Sequence, residues 1–460
     1  MDAEPENPYQ SPEAPLDSSV FPPYAPPSGP VSAGETAGSA GASAGEVTAL
    51  GAALKHDAYG PLRIAAFRKY FFGNILSLVG MQMQATAVGW EVYEVTGDAL
   101  SLAMVALAQI VPVLCLTLVA GQVADRFSRR RVICVAVSTV TLASALMAVN
   151  SLLWRDIGLL YGLLVLNGAG RAFQQPSKAS YMPTLVPRLM FPNAVTWMTS
   201  GFQFATVIGP AVAGLLIAAA GGAFLIYALN AAAGITFVAL LLTIPRTDAP
   251  RQIEPFSWGS LVAGYGFLRR KRVMYGAILL DMFAVLLGGA NALLPIYAKD
   301  ILEVGPQGLG WLRAAPAIGA LATAIVVAHR PPMENAGRAM LVSVIIFGAA
   351  TIAFGFSTSF ALSLAMMFLM GVTDNVSVIV RHTLVQVLTP DAMRGRVSAI
   401  NGMFIAMSNE LGDVEAGVVA KLLGPVFSVV SGGIGTIVVA VIAAVIWPEL
   451  RRYGKLGGEE

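Results

Sequence analysis

Charge is scarce in this chain. Only 12% of its 460 residues are Asp, Glu, Lys or Arg, against 56% hydrophobic. A soluble protein of this length needs about twice that ionic fraction to cover its surface. Histidine (three) and cysteine (two) are nearly missing. No metal-ligand spacing and no disulfide framework can be built from them, and Cys115 and Cys134 read as small packing residues. There is no phosphate-cradling glycine loop followed by Lys and no nucleophile motif, which argues against an enzyme and implies no cofactor. A net charge of +2 offers no footing for nucleic acid. No Lys or Arg precedes Lys55, and the start lacks any apolar run. A secretory signal needs both, so none is expected.

Long apolar stretches are what the chain has instead. Twelve lie at 70–93, 99–121, 132–153, 157–177, 193–219, 223–245, 273–298, 307–328, 339–357, 360–388, 396–420 and 425–447. A membrane span takes roughly 20 mostly apolar residues. Lipid cannot hydrogen-bond a free backbone, and these segments are too long for barrel strands, so helices are expected. Basic residues fall almost wholly in alternate gaps: Arg126 and Arg129–Arg131, Arg246, Arg269–Arg272, Arg330, Arg394 and Arg451 in one set, against Arg155, Lys299 and Lys421 in the other. The positive-inside bias then puts the first set, with both termini, in the cytoplasm of a multi-pass cell-membrane protein.

The expected organisation is a Pro-, Ser-, Gly- and Ala-rich acidic cytoplasmic tail over 1–57, a six-helix bundle over 65–245, a cytoplasmic linker over 246–272, a second six-helix bundle over 273–450, and a short tail over 451–460. The composition of the first segment suits disorder. Within the linker, Trp258, Leu261, Val262, Tyr265 and Leu268 recur at helical spacing before Arg269–Arg272. That pattern predicts a helix lying in the interface among lipid headgroups.

The two bundles repeat one another. Gly168 and Gly371, Pro187 and Pro390, Gly209 and Gly412, and Gly214 and Gly417 are each 203 residues apart. Six spans is an even number, so both copies enter the membrane in the same sense, as in transporters built from parallel halves. Gly201, Ala205, Gly209 and Ala213 recur every fourth residue, giving one helix face without bulk on which another backbone can lie.

Between the second and third spans the chain reads Gly121-Gln-Val-Ala-Asp125-Arg126-Phe-Ser-Arg129-Arg-Arg-Val. This resembles the cytoplasmic loop signature of the major facilitator superfamily, with Val123 and Ser128 departing from it. Ala205-x-x-x-Gly209-Pro210-x-x-Ala213-Gly214 is similar to the superfamily's antiporter signature, with Ala at two Gly positions. Gly170-Arg171-Ala-Phe-Gln174, Asp281, Leu294-Pro295 and Arg394-Gly-Arg396-Val narrow the likeness to the drug:proton antiporter-3 group, especially its enterobactin-exporter branch. The resemblance covers about 65–452. It implies an all-α fold of twelve helices in two six-helix halves, exporting a small amphiphilic molecule as protons enter, and a monomer among membrane lipids. It also implies that Asp125, with Arg126 and Arg129, latches the cytoplasmic ends of the halves.

Charge inside a span costs about 2.5–3.5 kcal/mol or more and is kept for a reason. For proton coupling Asp281 stands first, then Glu410 and Asp413, which lie three residues apart on one helix face. Arg171 or Arg381 paired with Asp374 is the structural use of the remaining charges. Arg313 and Glu415 are intramembrane charges as well. Gln82, Gln84, Gln174, Gln175 and Asn291 are the candidate cavity contacts, being neutral amides beside Met81, Met83 and Trp90. A lysophospholipid translocator of the same superfamily is the alternative reading, and a transporter-shaped sensor a more distant one.

Overall fold

The computed structural model describes residues 57–245, 258–331 and 333–454, with some helix side chains, Asp125 among them, outside the description. The tail of 1–57, but for its last residue, also lies outside the described residues. The described chain is helical, with turns between helices. The first half runs through α1 (Ala65–Thr96), α2 (Ala99–Arg126), α3 (Arg129–Leu153), α4 (Ile157–Tyr181), α5 (Phe191–Ala220) and α6 (Phe224–Leu242). The second runs through α7 (Arg272–Gly288), α8 (Gly305–Ala328), α9 (Ala336–Gly355), α10 (Phe360–Leu388), α11 (Asp391–Leu423) and α12 (Pro425–Ile446). Among the described residues nine segments are long and apolar enough to cross a membrane. Helices α1, α4 and α11 are the long ones outside that set; each carries several of the charged and amide residues discussed below.

Helix ends follow local chemistry. Asp98 and Asp156 cap α2 and α4, accepting from the Leu100 and Leu159 backbone N–H groups. Gly97 closes α1 with φ 59°, a left-handed backbone that costs glycine nothing. The expected seventh span, 273–298, is broken. Helix α7 stops at Gly288, and Asn291–Leu293, Leu294–Ile296 and a π turn at Tyr297–Ile301 continue the path. Gly288-Gly289 has little helix propensity and Pro295 has no N–H to offer, so the ladder breaks here. Side chains such as Val135, Ile235 and Val445 are more than 60% exposed, the outward apolar face of a protein solvated by lipid.

The repeat read from the sequence has a structural counterpart. A Cβ added at Gly209 on α5 would lie 2.5 Å from Gln82 Cβ of α1, and one at Gly412 on α11 2.8 Å from the Leu286 carbonyl of α7. Likewise Gly168 seats α4 against Gln109 and Pro112 of α2, and Gly371 seats α10 against Pro316 of α8. The same interval therefore places the same small residue in the same helix–helix contact in each half.

The halves touch each other along two seams. Gly214 of α5 meets Gly310 of α8, whose Cα would lie 2.9 Å from an added Cβ. Gly417 of α11 meets Ala103 of α2 at 2.6 Å on the same measure. Both seams sit near the end that holds the α1–α2 turn. There one apolar core runs through both halves, from Ala87, Tyr93 and Tyr227 to Leu293, Leu312 and Phe354. Toward the opposite end the core divides. One cluster around Phe67, Tyr70 and Phe237 belongs to the first half, and others around Leu280, Met340 and Leu384, and around Leu268 and Val397, belong to the second.

The linker helix spans Trp258–Arg270. Leu268 is fully buried against the second half, and Gly264 backs onto Ile400 and Arg396 of α11. The side chains of Trp258, Leu261 and Val262 are outside the described residues, so the apolar face read from the sequence is seen only from Gly264 onward.

Candidate functional site

Proline and paired glycines interrupt α7, and at the interruption lies a cavity of about 140 Å³ between α7, α8, α9, α10 and α11. Asp374, Asp413, Asn291 and Asn409 give it polar walls, and Phe347, Met367 and Met370 apolar ones. Four groups from three stretches of sequence thus converge on one space. Two acids, two amides and soft thioethers suit a ligand with both polar and apolar parts.

The charges around it are arranged differently from expectation. Arg381 pairs with Asp281, Nη1 to Oδ2 2.5 Å, both side chains buried. Ser377 donates to the other carboxylate oxygen at 3.4 Å. Asp374 precedes Arg381 by seven residues, roughly 10 Å along the axis, beyond the reach of the guanidinium once α7 offers Asp281 beside it. Arg171 does not take Asp374 either. Its Nη1 donates to Gln109 Oε1 at 2.9 Å, within the first half. Both expected pairings with Asp374 are therefore replaced. Asp374 is left facing the cavity, and Asp281, expected as the free carboxylate, holds an ion pair instead.

Glu410 and Asp413 share a face of α11 as their spacing predicts. Arg171 is the cation that acts on Glu410 across the junction between halves, and Arg313 the one that acts on Asp413. Arg313 itself lies on the backbone of α1: an added Cβ at Gly89 would sit 3.1 Å from its Nη2.

The amides divide. Asn291 reaches the cavity. Gln82 presses its Cβ on Gly209 at the α1–α5 contact. Gln175 is exposed and Gln174 buried. Gln84 faces away from the cavity into the first half. Its Oε1 accepts from Ser144 Oγ at 2.7 Å and Asn230 Nδ2 at 2.7 Å, and Asn230 also donates to Ser144 at 3.0 Å. An amide in lipid-depth packing finds partners on neighbouring helices first, which removes Gln84 from the cavity set. Gly201 and Gly209 face α1, Ala205 between them is buried, and Pro210 and Gly214 face α8 of the second half; the small-residue motif packs helices on two sides.

In the signature loop, Arg129 donates to the Ser180 carbonyl at 3.0 Å, and Arg130 to the Leu242 and Ile244 carbonyls at 2.7 and 2.5 Å. Arg130 thereby satisfies carbonyls left open at the end of α6. Both bonds stay within the first half, so Arg129 does not join the halves here. An added Cβ at Gly121 would meet no described residue within 4 Å, and Asp125's side chain is outside the described residues.

Sequence reasoning missed the ties at the α1–α2 end. Lys421 of α11 bridges to Asp98 at 2.9 Å. Tyr93 donates to Asp300, and Lys299 lies over the Tyr93 ring at 5.5 Å and reaches the Glu94 carbonyl at 3.5 Å. Its bond to Lys421 holds Asp98's carboxyl below the ordinary carboxylate range. Also unforeseen is Glu91, whose Oε2 accepts from Tyr227 at 2.6 Å inside the first half. Each was visible only as an isolated polar residue; nothing in one sequence says which two helices bring them together.

Solved structures share this arrangement of helical halves. A bacterial homologue of the human lysosomal transporter Spinster, inward-facing, superposes with a TM-score of 0.65 at 14% identity over 85% of this chain and 97% of its own. A bacterial homologue of the iron transporter ferroportin, also inward-facing, gives 0.66 at 18% over 85% and 99%. The sequence profile of the transmembrane secretion effectors matches residues 56–453, and the chain belongs to that family of the major facilitator superfamily. The enterobactin exporter EntS of Escherichia coli O1:K1 is 30% identical over 400 residues, 84% of this chain and 93% of the relative, and that of Escherichia fergusonii is as similar. These relatives are named as exporters rather than enzymes.

Proposed function

We propose that this protein is a secondary active exporter of small amphiphilic molecules, siderophore-like or drug-like, working by alternating access between two six-helix halves. The observation that carries the reading is the cavity at the α7 break, walled by Asp374, Asp413, Asn291 and Asn409 and set below seams that join the halves at one end only. Alternating access needs a polar site near the midplane and an interface able to part on either side of it. The resemblance to enterobactin exporters along most of both chains supports the siderophore-like class.

In this reading α1, α4 and α11 complete twelve spans in an inner or plasma membrane, and the basic gaps and both termini face the cytoplasm. The joined end is then external, and the cavity opens inward. The division at 65–245, 246–272 and 273–450 is that of bundle, linker and bundle, and a monomer in lipid suffices. Protons drive export through carboxylates. Asp413 faces the cavity and is the better carrier; Glu410 is next to it; Asp281 serves the carrier role only if Arg381 releases it. Gly121, Asp125, Arg126 and Arg129 form the cytoplasmic latch of the opposite state.

Everted vesicles containing the full chain provide the test. Enterobactin and a panel of amphiphilic dyes should accumulate when the lumen is acid and stop when an ionophore collapses the pH gradient. Accumulation indifferent to the gradient would rule out proton antiport, and no accumulation of any compound would rule out export.

A further inference from the structure

Arginine at position 313 lacks the hydrogen-bonding partner that other arginines named above have. Arg171 has Gln109, Arg381 has Asp281, Arg130 has two carbonyls. Arg313 forms no hydrogen bond and no ion pair with any described residue, and its Nε is sealed from solvent without a partner. It stands about 12 Å into α8, eight residues after Gly305. A guanidinium carries five N–H donors in a fixed fork and stays charged. Held that deep with none of them used, it is a costly arrangement unless another molecule supplies the acceptor.

The surroundings show where that molecule would come from. The guanidinium crosses from the second half onto the first, lying over Gly89, where an added Cβ would meet Nη2 at 3.1 Å and Pro295 Cγ at 3.3 Å. It therefore sits on the junction that opens and closes. Asp413, the acid whose charge acts on it, is on the wall of the cavity and not in contact. Asp413 acts on Arg313 only at a distance and leaves its fork unoccupied.

We propose that Arg313 is the anion-binding group of the transport site, taking a carboxylate, phenolate or sulfonate oxygen of the molecule carried. The inference deepens the export reading and depends on it only for the statement that the bound anion is cargo. Gly89 is then a specificity residue, its missing side chain leaving the fork open on the face of α1.

Two xanthene dyes of similar shape and opposite charge test this: fluorescein, an anion, and rhodamine 123, a cation. Binding of each to the full-length protein in nanodiscs is followed by fluorescence polarisation. Arg313→Gln should weaken fluorescein about tenfold or more, the value of one charge-assisted hydrogen bond, and leave rhodamine 123 unweakened. Arg313→Lys should fall between. Gly89→Ala, which keeps the charge and fills the space beside it, should weaken fluorescein alone. Equal loss of both dyes would assign Arg313 a packing role and overturn the proposal, as would fluorescein binding unchanged in Arg313→Gln and Gly89→Ala, or no preference for the anion in the wild type. Arg313-dependent fluorescein binding without vesicle accumulation would leave the anion site standing and sink the export reading instead.

Discussion

In the first half, Gln84, Ser144 and Asn230 close a hydrogen-bonded triad, Tyr227 holds Glu91, and Arg171 is satisfied by the neutral Gln109. In the second half the register-matched residue of Gln84 is Leu287, that of Pro210 is Asp413, that of Arg171 is Asp374, and that of Leu78 is Asp281. Pro112 and Pro316 are one residue further apart than the glycines, and in that shifted register Gln109 corresponds to Arg313. One helical scaffold thus carries neutral amides bonded among themselves on one side and ionic groups facing a cavity on the other. Scaffold and chemistry have separated: the glycines that fix helix distances are kept in both copies, while the acids that line the cavity lie in the second.

The comparison breaks most sharply at the buried ion pair. Arg381→Ala leaves Asp281 charged and alone and should cost about 3–5 kcal/mol, read from unfolding in mixed micelles. The double variant Asp281→Leu with Arg381→Met, which gives the second half the apolar character of Leu78, should recover most of it. A double variant as unstable as the single would mean the pair does more than balance charge. Vesicle transport by the double variant also tells whether Asp281 carries protons.

Equivalent scaffolding makes a matched claim about glycine. Gly209→Val and Gly412→Val should each destabilise by about 3 kcal/mol through overpacking. The same unfolding titration would undo the equivalence of the halves if one were tolerated and the other not. Smaller again is Asn230→Ala, expected to cost about 1–2 kcal/mol by leaving Gln84 and Ser144 short of a donor, without altering which compounds are transported. A changed dye profile would move the triad from structure into the site.

The weakest expected effect is at the surface. Asp98's lowered carboxyl pKa means its bond to Lys421 stabilises the joined end above the ordinary carboxylate value and fades as pH falls through the lowered one. Both side chains are partly exposed, so salt screens the pair and its worth is at most about 1 kcal/mol. Cross-linking between cysteines placed either side of the α2–α11 seam should slow slightly in Lys421→Met; unaltered rates would confine closure to the glycine contacts.

Much of the fold could be read from one sequence because lipid makes the rules simple. The span at 360–388 coincides with Phe360–Leu388, and the matched glycines fall at matched contacts. Where apolar length ceased to be the only signal, boundaries slipped: α1 and α11 extend well beyond 70–93 and 396–420 because their charged ends stay helical outside the apolar run. The break after Gly288 had its signal in Gly-Gly and Pro295, which the hydropathy of 273–298 outweighed. The site was legible as a list of costly residues and not as a set of partners. Asp281 and Arg381 are 100 residues apart in the chain, and only the packing of α7 on α10 chooses Asp281 over Asp374.

At Gly214–Gly310 backbone meets backbone, and at Gly417–Ala103 a single methyl stands between the helices, so the seams carry almost no teeth. A tilt of the lobes about these contacts would meet almost no side chain at the four positions themselves, while the Lys421–Asp98 and Tyr93–Asp300 bonds at the same end would have to give. A helix of 24 residues such as α8 is a lever of about 36 Å, and a rotation of a few degrees at its pivot becomes several ångströms of travel at the far tip. Substituting bulk at those four positions would convert a rolling joint into a geared one, and turnover would slow even where every ligand contact is intact.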